Sequence, residues 1–107
     1  MQSQRESGLI VFVTVPSKEL GQKIAKELLE KELASCVQIL PAMESHFVWQ
    51  GRVEKEEEFL LLSKTTESNY ESLEDLVVEL HPYEVPQVVA LRIDRGHGPY
   101  LSWLGLA

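Results

Sequence analysis

Apolar and polar positions along the chain change period several times, and each change marks an element. Leu9 to Val15 is a continuous apolar run rich in β-branched residues, which predicts a strand in the middle of a sheet. Pro16 breaks the run, and Ser17 is a good helix N-cap, with Glu19 placed to complement the helix dipole. Leu20, Ile24, Leu28 and Leu33 then recur near helical spacing, and Ala25 and Leu29 widen the stripe. They predict an amphipathic helix from about Ser17 to Leu33.

Cys36 to Leu40 predicts a second strand, punctuated by Pro41. His46 to Trp49 continues extended, Gln50-Gly51 marks a turn, and Val53 to Lys64 returns as a third strand. The two arms predict a long hairpin, with Pro41 at a bend or bulge. Ser68-Asn69-Tyr70-Glu71 fits a capping box, and Tyr70, Leu73, Leu76, Val77 and Leu80 form the apolar face of a second helix. Gln87 to Ile93 is the fourth strand, Gly96 to Pro99 a loop, and Tyr100 to Leu104 a short terminal helix.

The order β-α-β-β-α-β predicts an α+β, ferredoxin-like domain: an antiparallel sheet with both helices on one face and a short C-terminal helix added. It spans residues 9–107, after a loose polar tail over residues 1–8. The other sheet face is then bare, with Phe47, Trp49, Phe59 and Leu61 expected to line it. A bare apolar face calls for a partner surface.

Net charge changes this picture. At −7, the surface repels phosphate backbones and anionic lipid, so neither nucleic acid nor a membrane is an expected partner, whereas cations are. The lone cysteine, Cys36, excludes an intramolecular disulfide framework. With no apolar stretch of membrane-spanning length and no secretory h-region, the expectation is a cytoplasmic protein.

The densest chemistry lies in His81-Pro82-Tyr83-Glu84-Val85-Pro86. Two prolines fix φ and bar the helix from continuing, so His81, Tyr83 and Glu84 sit in a constrained linker. His81 is the first candidate metal ligand, because imidazole suits copper and zinc. Against that stands a histidine that merely caps a helix C-terminus. Glu84 is a neighbouring candidate. Cys36 offers a thiolate suited to Cu(I), set against the commoner small buried cysteine. Glu54, Glu56, Glu57 and Glu58 read as a solvated strand that deters wrong pairing, with weak affinity for hard cations. Signatures of a Walker A loop, an HExxH metalloprotease and a serine elbow are missing, so the chain is not expected to be an enzyme.

Several blocks occur together in order: Val13-Thr14-Val15-Pro16, Leu33-Ala34-Ser35-Cys36-Val37, Trp49-Gln50-Gly51, Lys64-Thr65-Thr66, the His81 to Pro86 segment, and Tyr100-Leu101-Ser102-Trp103. In this the chain resembles the divalent-cation tolerance family called CutA, from Leu9 to Trp103. The resemblance implies a tight homotrimer similar to PII signalling proteins, binding of copper or another divalent cation, and a role in metal tolerance. It also supports His81 as a metal ligand. Some relatives carry a cysteine where this chain has Val13, and many an acidic residue where it has Gln87, which removes a soft and an anionic donor here. The alternative function is a PII-like regulator that binds a small anion or a partner protein in inter-subunit clefts, with Lys64, Tyr83, Trp103 and Trp49 as candidate cleft residues.

Overall fold

The computed structural model describes residues 7–105. Along the chain run β1 (Gly8–Val15), α1 (Lys18–Glu30), β2 (Cys36–Ile39), β3 (Met43–Trp49), β4 (Arg52–Thr66), α2 (Glu67–Leu80), β5 (Val88–Arg92) and α3 (Gly98–Leu104). The sheet order is β2-β4-β1-β5, with β3 also paired to β4. All pairings are antiparallel, as the ferredoxin-like reading requires. Most of the expected tail lies outside the described residues, and Gly8 is already the buried first residue of β1.

β2 and β3 are the two halves of one bent strand along the same edge of β4. Ile39 faces Leu61, and Met43 faces Glu58, so three residues of one strand oppose two of the other. This is a β-bulge, and it falls at Pro41, which has no N–H to give to the ladder. The bulge shifts the side-chain alternation by one: Cys36 and Gln38 share a face with Ser45, Phe47 and Trp49. At the hairpin tip Gln50 and Gly51 have φ of 52° and 78°. Two consecutive positive φ values make the two-residue turn whose twist matches the flanking strands.

Alternation along β1 sends Val11, Val13 and Val15 under the helices, where they meet Ile24 and Leu28 of α1 and Leu73 and Val77 of α2, all fully buried. Leu61 joins them and Phe59 packs against the cluster. These two were expected on the bare face. The residues that line it instead are Leu60 and Leu62 of β4, Ile10 and Phe12 of β1, and Val89 and Leu91 of β5. Val89 and Leu91 are more than half exposed.

Helix ends correct two further expectations. α1 stops at Glu30, because Glu32 takes φ 56° and closes the helix with bonds from Glu32 N–H to Leu29 O (3.1 Å) and from Leu33 N–H to Leu28 O (2.8 Å). Leu33 is the apolar residue that packs back across this cap. α2 begins at Glu67, ahead of the expected capping box: Thr66 is the N-cap, and Ser7 O accepts from Glu67 N–H at 2.9 Å. At the start of α1, Ser17 Oγ accepts from Leu20 N–H at 3.1 Å, as expected.

Candidate functional site

Pro82 forces the residue before it out of helical geometry, and His81 ends α2 with φ −82° and ψ 135°. Its ring turns inward, 7% exposed. Nε2–H donates to Thr14 O at 2.7 Å, and Nδ1 accepts from Tyr83 N–H at 3.2 Å. A carbonyl can only accept and an amide N–H only donate, so the two partners select the tautomer between them. Both ring nitrogens are thereby committed to backbone. His81 pins the Pro82–Gln87 strap to β1.

The strap is also latched to β4. Tyr83 OH donates to Glu58 Oε2 at 2.9 Å, and Glu58 is only 5% exposed. Burial, then the Glu58 hydrogen bond and the Glu58 and Glu56 charges, pushes the Tyr83 phenol up to about 12. The Tyr83 ring sits 4.6 Å from the His81 ring at a tilt of 54°. One residue pair thus carries a buried carboxylate, a phenol held protonated and the backbone of the strap.

Between strap and hairpin lies an open cleft of about 800 Å³. Phe47, Trp49, Tyr83 and Val85 give it aromatic and apolar walls, and Glu54, Glu56, Glu58 and Glu84 give it negative charge. Alternation along β4 places the first three glutamates on one face, and the bulge at Pro41 brings Phe47 and Trp49 to the same side. Arg52 Nε lies 3.9 Å from Glu54. Among the described residues no ion pair reaches Glu56, Glu58 or Glu84. The cleft therefore favours positively charged guests.

The candidate residues from the sequence divide between two places. Glu84, Tyr83 and Trp49 line the cleft, with His81 behind the strap. Cys36 pairs with Lys64. Lys64 faces Ile10, four pairing positions along β1 from Thr14, or roughly 14 Å. Cys36, His81 and Glu84 do not converge. Lys64 Nζ donates to Tyr100 OH (2.9 Å) and Gln38 Oε1 (3.1 Å), and Trp103 stacks on Tyr100 with centroids 5.7 Å apart. Val13 is buried under the helices, away from the cleft, whereas Gln87 lines it. Among the described residues no three His, Cys, Asp or Glu side chains are grouped to hold a metal ion. His46 stands at the cleft rim, 3.3 Å from Glu44.

Alternation separates Glu56 and Glu58 from Glu57, but the row reads as solvated in sequence, and it is burial that sets Glu58 apart. Its signal was parity: Glu58 is two residues from Leu60, so it shares the apolar open face, next to where the strap returns.

Comparison with known proteins places this chain in a family. The model for the CutA1 divalent ion tolerance protein matches residues 9–106. This chain belongs to the CutA1 family. The divalent-cation tolerance protein CutA of Thermus thermophilus is 48% identical over 95 residues, covering 89% of this chain and 92% of that protein. The human protein CutA is 41% identical over 93 residues, covering 87% of this chain and 52% of its own length. The chain spans about half the length of the human and plant CutA proteins it matches. Among solved structures, CutA1 from Oryza sativa superposes with a TM-score of 0.91 at 42% identity, covering 96% of this chain and 94% of that one. The Thermus thermophilus structure gives 0.88 at 47% identity, with 91% and 94% covered. The CutA1 family description concerns divalent-ion tolerance. No helix among the described residues is long and apolar enough to cross a membrane.

Proposed function

We propose that this chain is a cytoplasmic, homotrimeric divalent-cation-binding protein that serves metal tolerance by binding rather than by catalysis, with copper the first ion to test. The observation that supports this reading best is the junction of two features on one side of the sheet. The open face offers apolar surface to further copies, and the cleft at its end offers carboxylates to cations.

In this reading Glu84 and Glu56 supply oxygen donors, which suit divalent ions as outer or direct ligands. Among the described residues one chain does not group three such donors, so in this reading the cation sits at a subunit boundary and takes donors from two copies. His81 is a positioning residue: it holds the strap that carries Tyr83 and Glu84. Cys36 lies with Lys64, apart from the cleft, and serves as a small side chain of the sheet. A small anionic ligand, the PII-like alternative, would meet glutamates around this cleft.

Copper titration by calorimetry tests the reading. Glu84→Gln combined with Glu56→Gln is expected to weaken binding at least ~10-fold. His81→Ala is expected to lower thermal stability first and affinity only through the loosened strap. Unchanged affinity and stoichiometry in the double glutamine variant would remove the cleft from metal binding.

A further inference from the structure

The cleft between strap and hairpin is lined by two parallel lanes. On β4, Glu54, Glu56 and Glu58 recur at every second residue, so each carboxylate stands roughly 7 Å from the next. On β3, Phe47 and Trp49 run alongside, with Phe47 directly opposite Glu54 in the register. The strap closes the third side with the Tyr83 ring, Val85 and the Glu84 carboxylate. The lining includes neither lysine nor arginine. Arg52, 3.9 Å from Glu54, is 81% exposed and too solvated to neutralise the row. Glu58 sharpens this deficit. It is 5% exposed, yet among the described residues it accepts from the neutral Tyr83 OH and pairs with no cation. A buried carboxylate without a cation is costly, and a cationic guest in the cleft relieves that cost.

A bare metal ion draws its donors to within ~2.0–2.6 Å of one point. Carboxylates spaced along a strand do not gather in that way, and no three metal donors are grouped among the described residues. A guest that spreads its charge along an apolar chain fits both lanes at once. Its ammonium groups meet successive carboxylates, and its methylenes and ammonium faces lie against the aromatic rings. The volume of about 800 Å³ is that of a small-molecule site. We propose that the cleft of a single chain binds a linear aliphatic polyamine, laid along β4 with Phe47, Trp49 and Tyr83 as its walls. The proposal shares the acidic cleft with the divalent-cation reading but needs no donor from a second copy. A polyamine and a divalent ion then compete for Glu56 and Glu84.

Calorimetric titration of the unmodified protein at near-physiological ionic strength tests this. Terminal diaminooctane, a dication like Mg²⁺, is expected to bind more tightly than Mg²⁺. Spermidine, with a further ammonium between its ends, should bind more tightly still and saturate at one molecule per chain. Glu54→Gln combined with Glu56→Gln is expected to weaken spermidine at least ~10-fold. Trp49→Leu keeps every charge and is expected to weaken it about 3- to 30-fold. Glu56 and Trp49 are both exposed, so the variants should keep the wild-type far-ultraviolet spectrum. Mg²⁺ binding as tightly as the diamine, or spermidine binding indifferent to both variants, would reduce the cleft to a diffuse acidic surface and overturn the proposal. Copper binding without spermidine binding would also overturn it and leave the divalent-cation reading standing. Spermidine binding without copper binding would support the proposal and remove that reading.

Discussion

Leu61 and Leu62 are neighbours in β4, and they stand on opposite sides of the sheet. Leu61 is fully buried beneath α1, so close that a Cβ on Gly21 would come within 3.1 Å of it. Leu62 faces the open side, opposite Phe12 and Gln38, and is half-buried. Chemically the two residues are identical. What differs is what covers them: the chain's own helices on one side and, in our account, other copies of the chain on the other. The first side determines whether the subunit folds, and the second whether subunits join.

Substitutions on the two sides should therefore separate folding from assembly. Leu61→Ala removes buried volume from the core and is expected to cost about 2–5 kcal/mol of subunit stability, read by chemical denaturation at fixed protein concentration. Leu62→Asp is expected to leave the far-ultraviolet spectrum of the subunit intact. It should raise the trimer dissociation constant ~100-fold, about 3 kcal/mol, because a charge would be buried between copies. If Leu62→Asp unfolds the chain, or leaves its mass unchanged, the distinction between the two faces fails.

The strap is the next test, since it bridges both sides. Tyr83→Phe deletes the hydrogen bond that the buried Glu58 carboxylate accepts and should cost about 1–3 kcal/mol at neutral pH. The same pair predicts a pH dependence. The Tyr83 phenol is raised in the folded protein from 10.0 to about 12, so the folded state holds its proton more tightly. Its contribution is complete below pH ~10 and is lost as pH rises toward 12. A denaturation series from pH 9 to 12 should show stability falling in the wild type and a shallower fall in Tyr83→Phe. Equal slopes would remove Tyr83 as the cause.

Ser63 gives the smallest effect. It lies on the helix-covered face, fully buried, and its hydroxyl has no hydrogen-bond partner among the described residues. Ser63→Ala is expected to leave stability unchanged or raise it by up to about 1 kcal/mol, since an unsatisfied buried hydroxyl is removed. A loss greater than ~1 kcal/mol would show that the hydroxyl has a partner.

The order of elements, the hairpin tip and the bend at Pro41 were legible in the sequence because turn residues and changes of period announce them. The face assignment of Phe59 and Leu61 was not. Phe59-Leu60-Leu61-Leu62 is apolar at every position, so alternation alone cannot say which pair meets the helices. Phe47 and Trp49 could be placed on the cleft side only by allowing for the extra residue near Pro41, which inverts parity between β2 and β3. The end of α1 was hidden because a glutamate, Glu32, occupies the left-handed position that glycine usually marks. At the candidate site, the constrained strap was readable from its two prolines. The direction of the His81 ring was not, because it depends on Thr14, 67 positions away in sequence.

Sedimentation equilibrium of the unmodified protein at low micromolar concentration is the most direct test of the claim that the open side of the sheet is covered by other copies. The account predicts a single species of three chains. A single-chain mass at that concentration, with the subunit folded, would contradict it.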